Sequence, residues 1–221
     1  MTKSLIVIGV PIAPDCKIDF RLSMWIADMC LRPNVIAKYE VTRFCAESVN
    51  RLIHFFLSVK EATHLFLVDA DTSPTNSKTL DLLLAPDKDI VTGVCPIIHH
   101  LWGIRWGVMH YEDGGLTKPY TPIKELPEKV FRASDANGPY LIKREVLEKK
   151  MTPPYFFDIF DHKTGARILS QDLFFVRKAA ESGVEIWCEP KAVFNHRKTV
   201  DLQHLIEKVL EMNDGSSKCK N

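Results

Sequence analysis

The sequence predicts one α/β domain, a mostly parallel mixed sheet flanked by helices in the Rossmann-like manner. Three observations carry this. Residues 5–10, 63–68 and 89–95 are near-continuous apolar runs, the pattern of strands buried on both faces. Helical stripes separate them, so strand and helix alternate through the first hundred residues. At 221 residues the chain is long enough for one well-buried core and short for two large domains.

The first strand, residues 5–10, is closed by Pro11 and Pro14, and its following loop lies at a strand's carboxyl end. Apolar residues at helical spacing predict a helix over about 18–30, ending before Arg32 and Pro33, and 35–41 is a second strand. Over 47–62, Val49, Leu52, Ile53, Phe56, Leu57 and Val59 recur at three and four, one stripe of a helix. The strand at 63–68 runs straight into Asp69-Ala70-Asp71, with a turn expected at Thr72-Ser73-Pro74. Thr75 or Asn76 is expected to cap a short helix carrying Leu80, Leu83 and Leu84, ended before Pro86. The strand at 89–95 follows.

The middle third changes character. Residues 102–111 are aromatic and interrupted by glycine, 112–115 read as a turn, and 118–127 hold three prolines, which together predict a hairpin and an irregular loop. Short strands are expected at 130–133 and 140–142, with Asn137-Gly138-Pro139 turning between them, then a short charged helix at 144–150. Ser170 caps a helix over 171–182 that Gly183 stops, and 184–188 is a strand. An amphipathic helix at 200–212 closes the domain (1–212), leaving 213–221 as a flexible tail.

Composition narrows the function. The net charge of +1 excludes a broad basic field for non-specific nucleic-acid binding, though His99, His100, Arg105 and Lys118 leave room for a local one. Ordinary Gly and Pro usage excludes fibrous and low-complexity classes. The six cysteines are scattered, without a C-x-x-C pair or zinc-finger spacing, and read mostly as small core residues in a reducing compartment. No apolar run approaches a membrane span, and the short opening run lacks a cleavage site, so a cytoplasmic protein without a membrane partner is expected.

The sharpest chemical feature is Asp69-Ala70-Asp71 at the end of a buried strand, where open α/β sheets bind ligands. Two hard oxygen ligands converging there suit Mg2+ or Mn2+, which keep positions open for substrate phosphates. Asp172, in the first turn of its helix, can project into a cleft. His196 follows an apolar strand-like segment and precedes Arg197 and Lys198. Singly, these also read as a polar strand end, a favourable helix-terminal acid and a surface histidine.

In order and spacing, these pieces resemble the GT-A glycosyltransferases, specifically small members of glycosyltransferase family 2 from bacteriophages and bacteria. The resemblance spans residues 5 to 196 and rests on 63–71, on 89–96, on 136–147 and on 170–183. It implies that Asp69 and Asp71, with His196 as third ligand, hold Mn2+ or Mg2+, and that Asp172 is the general base. It places Val10, Pro11, Asn50, Asp69, Ala70 and Asp71 on the nucleotide-sugar side, in a half running to residue 100. Trp102, Trp106, Asn137 and Gly138 fall on the acceptor side, in the catalytic half at 101–200. The implied reaction moves a sugar, most readily from a UDP-sugar, onto a hydroxyl of a saccharide, a protein or a hydroxymethylated base in DNA, with inversion. Two departures stand out. Gln171 precedes Asp172 where the family has Glu, and Val49 precedes Asn50 where it has Arg.

Two other classes share some of these features. An apolar strand ending in Asp69-Ala-Asp71 with Thr72 nearby also matches the opening of haloacid-dehalogenase-like phosphotransferases, but it lies late in the chain and no downstream acidic pair accompanies it. A non-catalytic sugar-nucleotide or glycan-binding module would keep the fold, but would not need a base at Asp172. A sugar nucleotidyltransferase is disfavoured because the first loop lacks a Gly-rich, Arg-containing phosphate cradle.

Overall fold

Alternation along the central strands decides which layer each side chain joins. The computed structural model describes residues 4–99, 103–110, 123, 125–136 and 138–198. The chain runs β1 (Leu5–Ile12), α1 (Phe20–Cys30), β2 (Val35–Val41), α2 (Cys45–Ser58), β3 (Ala62–Leu67), β4 (Thr72–Pro74), α3 (Thr79–Leu84) and β5 (Ile90–Val94). It continues through β6 (Pro96–His99), β7 (Gly103–Trp106), β8 (Val108–His110), β9 (Phe131–Ala136), β10 (Tyr140–Lys143), β11 (Ile159–Phe160), β12 (Arg167–Leu169), α4 (Gln171–Glu181) and β13 (Ile186–His196). Ile6, Ile8, Val10, Phe66, Val91 and Leu141 pack in one cluster with Leu22, Trp25 and Ile26 of α1 and Leu80 and Leu83 of α3. Val7, Leu65, Ile90 and Ile142 point the other way, onto Leu52, Ile53 and Phe56 of α2 and Phe175 and Val176 of α4. Period-two strands between period-3.6 helices give the three-layer α/β/α domain that the apolar runs predict.

The main sheet is ordered β2-β1-β3-β10-β5-β13-β9-β8, with β4 attached to β13. β1, β2 and β3 are mutually parallel, as are β5 and β13, while β10 and β9 run antiparallel to their neighbours. The result is mixed but mostly parallel. β6 and β7 form a hairpin ahead of the turn expected at 112–115, which lies outside the described residues, and β11 and β12 form a second one that the sequence pattern did not show.

Several boundaries move for identifiable reasons. β1 continues through Pro11 to Ile12, because past Gly9 it pairs only with β2. The Ile12 carbonyl accepts from Thr42 N–H, so the nitrogen of Pro11 faces the vacated side and no ladder bond is lost. Helix α2 ends at Ser58, not near 62, and the Arg144 guanidinium gathers carbonyls from its last turn and from the chain that leaves it. It donates to Leu57 O at 2.6 Å, Val59 O at 2.8 Å and Ala62 O at 3.0 Å, beside the negative end of the helix dipole. Thr72–Pro74 is not a free turn but a strand, held antiparallel to the end of β13. Neither Thr75 nor Asn76 caps α3, since Asn76 Oδ1 instead accepts from Lys78 N–H one turn early. The strand begun near 184 extends to His196 through a register shift between Cys188 and Val193. Within the expected short helix at 144–150, Val146–Lys150 form a turn of π-helix. Cys16, Cys30 and Cys45 are exposed and only Cys95 and Cys188 buried, which corrects the reading of the cysteines as mostly core. The expected helix at 200–212, the tail and Cys219 lie outside the described residues. No described helix is long and apolar enough to cross a membrane.

Two positions test this packing. A Cβ on Gly93 would stand 2.3 Å from the Ala192 carbonyl oxygen, so β5 and β13 approach too closely there for any side chain. Gly93→Ala is expected to cost about 1–3 kcal/mol, read as a fall in Tm. Arg144→Met keeps the aliphatic stem but drops the carbonyl contacts, and should cost about 1.5–3 kcal/mol in urea unfolding.

Candidate active site

The site begins where β3 runs out of pairing partners. Val68, almost fully buried, still donates its N–H to Gly9 O at 3.1 Å. Ala70 then turns into the α1-side core, and its carbonyl accepts from Asp19 N–H at 2.7 Å. With Ala70 anchored inward, Asp69 and Asp71 both face away from the core. Thr72 N–H closes the turn on Asp69 O at 3.0 Å, and β4 pairs with β13 so that Thr72 faces His196.

That pairing returns a late part of the chain to the acidic pair. His196 Nε2 lies 3.3 Å from Asp71 Oδ2, and Lys198 Nζ reaches the same oxygen at 2.7 Å. Arg197 N–H donates to Asp71 O at 2.8 Å, while its guanidinium faces Asp19 at 3.6 Å. His196 Nδ1 stands 2.9 Å from the Pro96 carbonyl, which can only accept, so Nδ1 carries a proton and Nε2 is the nitrogen turned to the site. Partial burial pushes the Asp71 carboxyl up, but hydrogen bonds from His196 and Lys198 outweigh it and hold the group at about 2. The same bond to Asp71, with contributions from Cys95 and the Pro96 carbonyl, raises His196 to about 10 against its burial, so the imidazole is a cation here. Asp69 opens onto the cleft but is densely surrounded by protein. Desolvation, then the Asp71 charge, raises its pKa.

The opposite wall is the start of α4. Ser170 Oγ accepts from Leu173 N–H at 3.4 Å, the cap the sequence predicts, and Asp158 Oδ1 accepts from Gln171 N–H at 3.1 Å. This fixes Asp172 in the first turn, facing a cleft of about 210 Å³. Pro11, Leu67 and Asp69 line the cleft from the strand ends, Val49 from α2, Gly138, Pro139 and Tyr140 from the turn into β10, and Gln171, Asp172, His196 and Lys198 from the far side. Phe156 closes it, stacked at 4.4 Å on Phe175 of α4. Gln171 Oε1 is buried with no hydrogen-bond partner among the described residues. Cys45, at the start of α2, borders the same region. Part of the residue is open to solvent, yet the protein packed around its thiol, reinforced by the Asp69 charge and opposed by the Gln171 amide, pushes it up to about 12 and keeps it protonated.

The structure thus brings Asp69, Asp172, His196, Pro11 and Gly138 to one cleft, with Asp71 behind His196 and Lys198. Val10 and Ala70 are core residues whose side chains do not reach it. Asn50 has another task. Its amide donates to Ala46 O and Phe156 O at 2.7 Å each, and its Oδ1 accepts from Tyr155 N–H at 3.0 Å, stapling residues 155–156 to α2. Trp106 packs partly buried against the core and does not line the cleft. Trp102 and Asn137 lie outside the described residues. Lys198 was legible in principle, two residues beyond His196 in extended chain and so on the same side of it. Gln171 was visible only as a departure from a motif.

Among the described residues no three His, Cys, Asp or Glu side chains already converge at metal-ligating spacing. The donor set nevertheless fits a divalent cation in part. Asp71 Oδ2 and His196 Nε2 face each other across 3.3 Å, with the imidazole orientation fixed from behind by Pro96, and Asp69 stands beside them.

No family model matches the chain, and no curated protein matches it. Solved structures do. A197 from STIV superimposes with a TM-score of 0.57 at 16% identity, over 88% of this chain and 86% of that one. GalNAc-T7, solved with UDP, GalNAc and Mn2+, superimposes with a TM-score of 0.54 at 12% identity, over 90% of this chain but only 44% of that protein. At these identities the likeness is one of fold: this chain has a GT-A-like α/β fold.

Proposed function

We propose that the protein is a glycosyltransferase that moves a sugar from a nucleoside diphosphate sugar to a hydroxyl acceptor, with inversion. One observation carries the reading: acids from opposite walls, Asp69 at the strand ends and Asp172 on α4, line a single cleft beside His196 and Lys198. The shared fold with GalNAc-T7, whose structure holds UDP, GalNAc and Mn2+, supports a UDP-sugar as donor.

In this reading Pro11, at the end of β1, flanks the nucleobase and Lys198 brings a positive charge to the diphosphate. Asp71 and His196, with Asp69, would hold Mn2+ or Mg2+, His196 in its neutral form with Nε2 free of its proton. Bound there, the ion would act as a Lewis acid on charge developing at the β-phosphate. Asp172, across the cleft, takes the proton of the acceptor hydroxyl as it attacks the anomeric carbon from the face opposite the leaving group. Val49 and Phe156 narrow the cleft and exclude water that would otherwise intercept the sugar. The acceptor hydroxyl belongs to a saccharide, a protein side chain or a hydroxymethylated base in DNA. For DNA the base would have to leave the helix stack to reach so small a cleft.

Three measurements test this. Asp172→Asn should lower UDP release from UDP-glucose or UDP-N-acetylglucosamine by about 10²–10⁴-fold while leaving the donor Kd within about threefold. An equal loss of donor binding would remove Asp172 from the role of base. Asp71→Asn and His196→Ala should each weaken Mn2+ binding in the presence of UDP by about 10–100-fold in calorimetry. Unchanged affinity would place the ion elsewhere. Duplex DNA carrying 5-hydroxymethylcytosine should shift in a gel at low salt if DNA is the acceptor, and absence of a shift eliminates that branch.

A further inference from the structure

We infer that Lys198 is a latch on the cation site: in the empty cleft its ammonium occupies the Asp71 oxygen offered to a divalent ion, and a nucleoside diphosphate draws it away. The inference rests on the glycosyltransferase reading and deepens it, since it makes the ion wait for the donor. Lys198 Nζ lies 2.7 Å from Asp71 Oδ2, the same oxygen that His196 Nε2 faces at 3.3 Å. The other Asp71 oxygen accepts from Thr72 Oγ1 at 3.4 Å. Asp69, His196 and Lys198 line the cleft, and Asp71 does not. An ion entering from the cleft therefore meets Lys198 before it meets Asp71. One carboxylate oxygen cannot serve both, because an ammonium and a divalent ion at contact distance from it would repel each other.

The latch can move while its mounting stays in place. Arg197 N–H donates to Asp71 O at 2.8 Å and the Arg197 guanidinium faces Asp19 at 3.6 Å, which fixes the backbone just before Lys198. The Lys198 side chain itself is 48% exposed and carries its charge at the end of a flexible stem. An ion pair so open to water is weak, and a diphosphate offers an ammonium more negative charge than one carboxylate does. Lys198 already borders the cleft, so rotation about the bonds of its own stem makes the exchange. With its ammonium on the phosphates, Asp69, Asp71 and His196 are left to the ion. Ion and diphosphate then raise each other's affinity by the same factor, as linkage requires.

The test compares Mn2+ binding to wild type, Lys198→Met and Lys198→Arg, each without nucleotide and with saturating UDP. The free-ion signal in electron paramagnetic resonance reports binding, corrected for Mn2+ held by free UDP, and the readout is the ratio of the two Kd values. Without UDP, Lys198→Met should bind Mn2+ about three- to tenfold more tightly than wild type, since the ammonium is gone from Asp71. With UDP its affinity should not exceed that of wild type, so the ratio falls by about threefold or more. Lys198→Arg keeps a cation on the stem and should stay within about twofold of wild type in both states. An unchanged ratio in Lys198→Met overturns the inference. So does equal tightening in both states, which would be the field of a lost charge and not an exchange. A ratio that falls only through weaker binding with UDP also overturns it, because Lys198 would then be a phosphate contact alone. The same loss in Lys198→Arg as in Lys198→Met would show that the charge is not the cause, and overturns it too. If wild type binds Mn2+ with one Kd whether or not UDP is bound, this inference alone falls. If it binds neither Mn2+ nor UDP, the donor reading falls with it.

Discussion

Strands buried on both faces can expose polar side chains only where they end. β1, β3 and β5 lie between two helical layers, with Ile8, Phe66 and Val91 on one side and Val7, Leu65 and Ile90 on the other. The carboxyl ends of β1 and β3 are where the sheet opens to polar chemistry, and the cleft forms there. What β13 adds is reach. Its register shift past Cys188 carries the chain onward to β4, so that His196 and Lys198 arrive on Asp71 from more than a hundred residues away.

The electrostatics follow from this crowding. Asp69 and Asp71 are one residue apart and both face away from the core, an arrangement of like charges that needs a cation close by. In the structure, His196 and Lys198 supply it to Asp71, while Asp69 stays unfavourably placed for ionisation. The far wall meets a different demand. Asp172 has the amino end of α4 beneath it, with Ser170 and Asp158 satisfying that helix terminus through backbone hydrogen bonds.

Elements governed by local pattern were legible from sequence. The stripe of α2, the apolar strands, the Ser170 cap and the acidic pair after Val68 each announce themselves within a dozen residues. Long-range partners were not. The carbonyls at the end of α2 meet Arg144 from some eighty residues on, and the strand character of Thr72–Pro74 depends on Phe194 to His196. The family resemblance puts Asn50 on the nucleotide-sugar side, yet its polar atoms serve the backbone of 155–156. Side-chain type told which residues could do chemistry. Whether their hydrogen-bonding capacity was already used was decided by segments that arrive later in the chain.

The place of β10 bears on how the protein is made. It lies between β3 and β5, although it follows both in sequence and the β6–β9 segment intervenes. Until Tyr140 to Lys143 has been synthesised, β3 and β5 each present a bare, apolar edge toward a missing neighbour. The first hundred residues therefore cannot close as a unit on the ribosome, and the nucleotide-side wall of the cleft is completed only when a strand from the second half is threaded into its centre. Such non-local pairing makes folding slow relative to chain length, and a nascent chain stalled near residue 130 would expose one edge of β3 and both edges of β5 to its neighbours.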